Sequence, residues 1–168
     1  MKGVPGVVKG LRSGAVKQLS VVLGNEAGDL DSVVCTCALG AWLQAREPSV
    51  PVVPLLNFRR EDLPLHTEVL FCFKRLGLDL GLLAFEDDLS WEGVCEGRLK
   101  RVALVDHNVV NTPNLAFLDR LVTSILDHHK LERESDPKID PFVIETVGSC
   151  ATLVADHIIN KDPTYFVS

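Results

Sequence analysis

The sequence predicts an α/β fold in which a mainly parallel β-sheet carries helices on both of its faces. Short apolar runs alternate along the chain with longer segments of helical periodicity, and this alternation is typical of βαβ units. Three of the apolar runs are followed directly by acidic residues or histidines. We expect such side chains at the carboxyl ends of parallel strands, where open sheets bind their ligands.

The chain has 168 residues, which is enough for one domain with a substantial core. We divide it into a lead-in, residues 1–18, and one domain, residues 19–168. Gly and Pro residues in the lead-in argue against a long helix there. The lead-in is therefore expected to be a short helix or a loosely ordered segment.

The elements of the domain follow from its hydrophobic pattern. Strands are predicted at the apolar runs 20–24, 52–56, 82–85, 101–105, 121–126 and 142–146. Helices are predicted between them at residues 30–44, 64–76, 89–96, 115–120 and 150–159. Pro48 and Pro51 break the first of these helices, and Gly77 ends the second. Residues 130–141 are charged and contain Pro, so they are expected to form a loop.

The composition excludes several classes of protein. Hydrophobic residues make up 46% of the chain and charged residues 24%, as in ordinary globular proteins. The net charge is −6 and no block of Lys or Arg is present, so nucleic acid beyond short oligonucleotides is not an expected partner. No apolar stretch has the length of a membrane span or of a signal-peptide core. Five Cys without paired spacing indicate reduced thiols, and we expect a cytoplasmic protein.

Asp29 and Asp31 follow the first predicted strand, with one residue between them. Two carboxylates at this spacing on a turn can point at one cation, and hard cations prefer oxygen ligands. The alternative is that they cap the helix that follows, as Asp commonly does.

Asp106 and the run Asp127-His128-His129 follow two later strands. Asp106 alone could also be a helix cap, and the two histidines could be solvated surface residues. Adjacent side chains on an extended segment point to opposite sides, so one His can bind a metal while the other faces a substrate.

The co-occurrence of these groups favours a metal site. Carboxylates gathered at one crevice repel each other, and a cation relieves the repulsion. A mixed Asp and His set suits Mn²⁺ or Mg²⁺, with Co²⁺ as a further candidate, and leaves room for two ions. Two ions can hold a hydroxide for in-line attack on phosphorus.

Two further segments could bind an anion. Arg59 and Arg60 follow the second predicted strand, and either could hold a phosphate or be a solvated surface charge. Gly148-Ser149-Cys150 precedes the last helix, where its backbone N–H groups could bind an anion or help a ligand, or Ser149 could be an ordinary N-cap.

Five segments resemble, in order, the DHH phosphoesterase superfamily and its prune and yeast-type exopolyphosphatase branch. The superfamily likeness lies in residues 104–108 (LVDHN) and 125–130 (ILDHHK). The branch likeness lies in residues 24–32 (GNEAGDLDS), 54–60 (PLLNFRR) and 145–154 (ETVGSCATLV). The resemblance extends from about residue 20 to residue 160.

The resemblance implies an N-terminal α/β domain, a smaller C-terminal domain and a site between them. It also implies hydrolysis of phosphoanhydride or phosphodiester bonds with divalent cations, commonly Mn²⁺ or Mg²⁺. By the same resemblance the metal ligands would be Asp29, Asp31, Asp106 and His128. Asp127 would support the Asp-His-His segment.

The remaining roles are also implied by the resemblance. His129 would contact the substrate or stabilise the leaving phosphate, and the catalytic set would be Asp106, His128 and His129. Arg60 would bind phosphate, and Asn57 of the same segment would contact the substrate. Asn25 occupies the position at which family II pyrophosphatases carry a His ligand, which favours the polyphosphatase branch.

Two departures from the family pattern matter. Vertebrate prune proteins tend to carry Arg at the position of His129, whereas this chain keeps the full Asp-His-His, which favours a competent site. The family's further metal-binding Asp and its second domain lie beyond the last helix predicted here. We therefore expect the second domain to be absent and the domain of residues 19–168 to be truncated.

These observations predict an exopolyphosphatase-like hydrolase that uses two metal ions to activate water against a small phosphorylated substrate. An alternative within enzymes is cleavage of cyclic nucleotides or short oligonucleotides. An alternative of another class is an inactive interaction module, which truncation favours and the intact Asp-His-His opposes. The sequence indicates no protein partner.

Overall fold

Six strands form one sheet in the computed structural model, which describes residues 4–167, with the backbone alone for residues 4, 11 and 12. All neighbouring strands are parallel, and their order across the sheet is β3-β2-β1-β4-β5-β6. The strands are β1 (Leu19–Leu23), β2 (Val52–Leu56), β3 (Ala84–Phe85), β4 (Leu99–Val105), β5 (Ser124–Asp127) and β6 (Phe142–Ile144).

Five α-helices accompany the sheet within the described residues: α1 (Val4–Arg12), α2 (Leu30–Arg46), α3 (Thr67–Leu76), α4 (Trp91–Cys95) and α5 (Cys150–Lys161). Short 3-10 helices occupy Arg60–Leu65, Leu80–Leu82 and Ala116–Leu121. Of the two alternatives for the lead-in, the structure has the short helix, α1. Residues 1–3 of the lead-in lie outside the described residues.

Helices cover both faces of the sheet, as the sequence predicted. On one face Val22 and Ala103 pack with side chains of α2 and α5 in one core cluster. On the other face Val21 and Leu104 pack with Val7 of α1 and with residues of α4. Because alternate residues of a strand point to opposite faces, strands as uniformly apolar as β1 require a core on both sides.

The strand order reverses direction between β1 and β4. The chain passes from β1 outward through β2 and β3, then returns to β4 and continues outward through β5 and β6. The carboxyl ends of β1 and β4 therefore diverge into loops on opposite sides of one crevice. This crevice is where doubly wound sheets bind their ligands.

The structure corrects the predicted boundaries at three places. Residues 64–76 are not one helix, because Pro64 lies in a 3-10 helix that ends at Leu65 and α3 begins at Thr67. His66, with a φ of −87° and a ψ of 66°, lies outside helical geometry and separates the two segments. The predicted strands 82–85 and 121–126 begin later, at Ala84 and Ser124, since 3-10 turns occupy the residues before them.

No helix in the described part of the chain is both long enough and apolar enough to cross a membrane.

His157 of α5 should make the stability of the fold depend on pH. Its ring packs edge-on against Trp42 of α2, with the ring centroids 5.4 Å apart. Burial lowers the pKa of His157 from the ordinary 6.5, and the charge of Lys161 lowers it further, while Asp140 partly opposes them. As the pH falls below 6.5 the unfolded chain therefore binds this proton before the folded chain does, and the free energy of unfolding decreases.

We expect urea unfolding midpoints of the unaltered chain to fall between about pH 7.5 and about pH 5.5 more than those of His157→Gln. Trp fluorescence at each pH measures the midpoints. The same decrease in both proteins would contradict the assignment of this proton to His157.

Candidate metal centre

The turn after β1 is built to bring the start of α2 close to the strand. Gly24 lies so near Ser32 and Thr36 that a β-carbon there would collide with both hydroxyls. Gly28 has a φ of 58°, a backbone conformation that residues with side chains rarely adopt. The Asn25 N–H donates to Ser32 Oγ at 2.7 Å, which closes the turn.

Asp29 caps α2, as one of the two interpretations of the sequence expected. Its Oδ1 accepts a hydrogen bond from the Ser32 N–H at 3.0 Å. Its other oxygen makes no hydrogen bond to a described residue. Capping and metal binding are compatible at this position because a carboxylate has two oxygens.

Asp31 lies in the first turn of α2, and its carboxylate binds the N-terminus of α5. Oδ1 accepts from the Ser149 hydroxyl at 2.8 Å and from the Ala151 N–H at 3.0 Å, and Oδ2 accepts from the Cys150 N–H at 2.8 Å. Burial alone would raise the pKa of Asp31, but these hydrogen bonds outweigh it and lower the pKa below 3.8. The anion expected at this helix start is thus the chain's own carboxylate, while Ser149 is also the N-cap.

Asp106 follows β4 in a strained backbone conformation, with a φ of 64°. Its side chain is 1% exposed. Oδ2 accepts from Asn25 Nδ2 at 2.7 Å. Oδ1 is buried and has no hydrogen-bond partner among the described residues, and such an atom calls for a cation or a proton.

His128 places one ring nitrogen beside this oxygen. Its Nδ1 lies 2.9 Å from the carbonyl oxygen of Val147, and a carbonyl can only accept, so Nδ1 carries the proton. When the ring is neutral the lone pair is on Nε2, which lies 3.0 Å from Asp106 Oδ1 and 3.9 Å from Asp31 Oδ2. The hydrogen bond to Val147 raises the pKa of His128 and the two carboxylates raise it further, while burial partly opposes them. A carbonyl that fixes the tautomer in this way is usual behind histidines that bind metals.

Asp127 orients the second histidine. It is fully buried, and its Oδ1 accepts from both the N–H and the Nδ1 of His129, at 3.1 and 2.8 Å. Nδ1 of His129 is thereby engaged, and Nε2 is left for other contacts. The His129 side chain is 51% exposed, so this nitrogen can meet a substrate.

The charges of the cluster act most strongly on Asp106. Its pKa is raised to about 6, chiefly by burial and also by the carboxylates of Asp31 and Asp29, while His129 and His128 partly offset these effects. An ionised Asp106 is therefore costly without a compensating positive charge.

The residues fit a divalent cation. One ligand atom each from Asp106, His128 and His129 can be chosen so that all lie within 4.8 Å of one another. Asp31 lies at the edge of this group through its 3.9 Å approach to His128. Carboxylate oxygens suit hard cations such as Mg²⁺ and Mn²⁺ and imidazole suits ions such as Zn²⁺ and Fe²⁺, so this donor set fits several divalent ions.

A cavity of about 260 Å³ opens beside the cluster. Asp106 and His129 form part of its wall, together with Asn25, Asn57 and His107. Within the described part of the chain, no Lys or Arg lines it.

Arg60 is not brought to this cavity. Its guanidinium pairs with both oxygens of Asp88, at 2.6 and 2.7 Å, and lies over the ring of Phe85. A phosphate contact by Arg60 stays a prediction, and this ion pair would have to open for it.

A family model, the N-terminal domain of the DHH family, matches residues 20–166. The chain belongs to the DHH family. The resemblance to the superfamily and its prune branch is therefore confirmed, and the predicted α/β class is confirmed by the parallel sheet.

The relatives of this DHH chain include proteins named exopolyphosphatase PRUNE1. The protein from Homo sapiens is 36% identical over 148 residues, which cover 88% of this chain and 32% of that protein. The protein from Bos taurus is likewise 36% identical over 148 residues, with the same two shares. The chain thus spans about a third of the length of these relatives.

Two residues near the DHH site had no role in the sequence-based prediction. Asn108 donates to Asp127 Oδ2 at 2.6 Å and accepts from the Glu132 N–H at 2.8 Å, so it fixes the carboxylate that orients His129. His107 binds the Val105 carbonyl through Nδ1, and its Nε2 is buried without a partner. In the sequence, the signal for these two residues was their position directly after Asp106. No spacing rule distinguishes a residue that orients another side chain from an ordinary surface residue.

Removing the carboxylate of Asp31 should destabilise the chain even without metal. In Asp31→Ala the donors of Ser149, Cys150 and Ala151 lose their acceptor, and we expect a loss of about 1–3 kcal/mol. Urea unfolding in the presence of a chelator measures it. Glu26→Ala, at an exposed position on the same turn, is the control and should change stability by less than about 0.5 kcal/mol. Equal effects of the two substitutions would contradict the capping role of Asp31.

Proposed function

We propose that this chain holds one or two Mn²⁺ or Mg²⁺ ions and that the loaded site hydrolyses terminal phosphoanhydride bonds of short inorganic polyphosphate. The ligands would be Asp29, Asp31, Asp106 and His128. The observation that carries the proposal is the buried, unpartnered Oδ1 of Asp106, 3.0 Å from Nε2 of His128, at the crevice between β1 and β4.

The protein groups around this pair support a bound cation rather than a bound proton. Asn25 occupies Oδ2 of Asp106 and leaves Oδ1 free, while Val147 keeps the proton of His128 on Nδ1. Both free atoms are electron-pair donors, and they face each other. A divalent cation bound there supplies Lewis acidity to a phosphoryl oxygen and lowers the pKa of water.

The remaining residues would act on the substrate. Asp127 holds Nδ1 of His129 and leaves Nε2 free, and a doubly protonated ring would donate a hydrogen bond from Nε2 to the leaving phosphate. Asn57 lines the cavity and would contact a phosphoryl oxygen.

The cavity favours a small polar substrate over a nucleotide. Protein sites commonly stack nucleobases on aromatic side chains, and the described residues that line this cavity include the imidazoles of His107 and His129 but no Phe, Tyr or Trp. Its walls are dominated by amides, carboxylates and imidazoles. The relatives' name, exopolyphosphatase, agrees with a polyphosphate substrate.

Asp106→Asn should abolish tight Mn²⁺ binding without unfolding the chain. Asn tolerates the positive φ of this position, but a neutral amide oxygen is a much weaker ligand than a carboxylate. Calorimetric titration of Mn²⁺ measures the affinity, and we expect a loss of at least about 100-fold. Asp136→Asn, on an exposed loop position, should bind Mn²⁺ like the unaltered chain. Unchanged binding by Asp106→Asn would remove this residue from the ligand set.

Phosphate release distinguishes the proposed substrate from the alternatives. With Mn²⁺ present we expect release from tripolyphosphate that a chelator and Asp106→Asn both abolish. Preferential cleavage of 3′,5′-cyclic AMP would favour the phosphodiesterase alternative. Tight Mn²⁺ binding with no cleavage of either compound would contradict hydrolysis by this chain and favour an interaction module.

A further inference from the structure

Asn57 is held in one orientation by a residue from a distant part of the chain. It directly follows β2, is 4% exposed and lines the cavity beside the metal centre. Its Oδ1 accepts a hydrogen bond from the Thr112 hydroxyl at 2.5 Å. Thr112 lies in the segment between β4 and the 3-10 helix Ala116–Leu121.

The length of this bond defines which end of the amide faces Thr112. A separation of 2.5 Å is within the range of O–H···O hydrogen bonds and is too short for N–H···O. The amide oxygen therefore points at Thr112, and the NH₂ group points away from it. The bond also crosses the tip of β1, since β2 and β4 flank β1 in the sheet.

The NH₂ group of Asn57 has no hydrogen-bond partner among the described residues. The nitrogen of this group nevertheless keeps some exposure to solvent. Because Asn57 is almost entirely buried and borders the cavity, the cavity is the opening that its two N–H donors reach.

The other amides of the cavity wall are committed elsewhere or exposed. Nδ2 of Asn25 donates to Asp106, and Nδ2 of Asn108 donates to Asp127 and to the Lys130 carbonyl. Asn111 is exposed at the rim. Asn57 thus offers amide donors that are both uncommitted and enclosed.

We propose that Thr112 is a positioning residue, which fixes the Asn57 amide so that its N–H donors bind a phosphoryl oxygen of the substrate. The inference rests on the proposed function. Phosphoryl oxygens only accept hydrogen bonds, so an amide turned the other way would present its own oxygen and repel them. The Thr112 hydroxyl therefore decides whether Asn57 attracts or repels the substrate.

The test compares Thr112→Val, which keeps the shape and removes the hydroxyl, with Thr112→Ser, which keeps the hydroxyl. The probe is inorganic phosphate added to the Mg²⁺-loaded chain, followed by the side-chain NH₂ signals of Asn57 in ¹H–¹⁵N NMR spectra. We expect Thr112→Val to bind phosphate about three- to tenfold more weakly, and Thr112→Ser to bind like the unaltered chain. Phosphate should move the Asn57 NH₂ signals in the unaltered chain and in Thr112→Ser only.

A second variant separates orientation from loop packing. Asn57→Asp keeps an acceptor for Thr112 but removes both N–H donors, so it should weaken phosphate binding at least as much as Thr112→Val. Combining Asn57→Asp with Thr112→Val should cost no further affinity. If Thr112→Val fails to fold, Thr112→Ala supplies the variant without the hydroxyl for the same comparison.

Failure of this inference and failure of the proposed function would give different results. Equal phosphate affinity in Thr112→Val and the unaltered chain would overturn the role of Thr112 and leave the proposed function intact. If the Mg²⁺-loaded, unaltered chain bound no phosphate, the proposed function would fail, and the inference with it.

Discussion

Residues 147–151 hold the candidate metal centre together, because both Asp31 and His128 depend on this short segment. The Val147 carbonyl fixes the tautomer of His128, and the first donors of α5 fix the carboxylate of Asp31. A displacement of the start of α5 would therefore move groups from two strand ends at once. Packing of α5 against α2 through Val154 and Leu39 keeps that start in place.

The same segment explains why Asp31 and Asp106 differ electrostatically although both lie near one crevice. Asp31 accepts hydrogen bonds from Ser149, Cys150, Ala151 and the Cys35 thiol, which together outweigh its burial and lower its pKa. Asp106 is almost entirely buried and lies near the carboxylates of Asp31 and Asp29, so its pKa is raised to about 6. The folded chain therefore stabilises the anion of Asp31 and destabilises that of Asp106, and a bound cation would offset the second effect. Strain and an unpartnered charge at one residue are typical of a functional position.

Much of this could be predicted from the sequence because the relevant signals are local. Uniform apolar runs located the strands, and Asp29, Asp106 and Asp127 at their ends located the crevice. The ties that shape the site are not local. Asp31 and Ser149 are 118 residues apart, and Asn57 and Thr112 are 55 residues apart. No periodicity or spacing connects such pairs, since only the sheet order brings them together.

The contacts of Arg60 could not be predicted from the sequence either. Its place after β2 suggested a phosphate contact, but Asp88 offers it a bidentate partner from a neighbouring loop, and a sequence does not show which anion will compete.

Because Arg60 is held elsewhere, the wall of the cavity is left with uncompensated negative charge. Glu26 and Glu132 line it, and among the described lining residues there is no Lys or Arg to balance them. An anionic substrate would therefore be repelled from this wall unless a cation occupied the centre first. A cation would therefore be needed for substrate binding as well as for chemistry. A neutral donor such as the Asn57 amide can bind a phosphoryl oxygen without adding to the charge of the site.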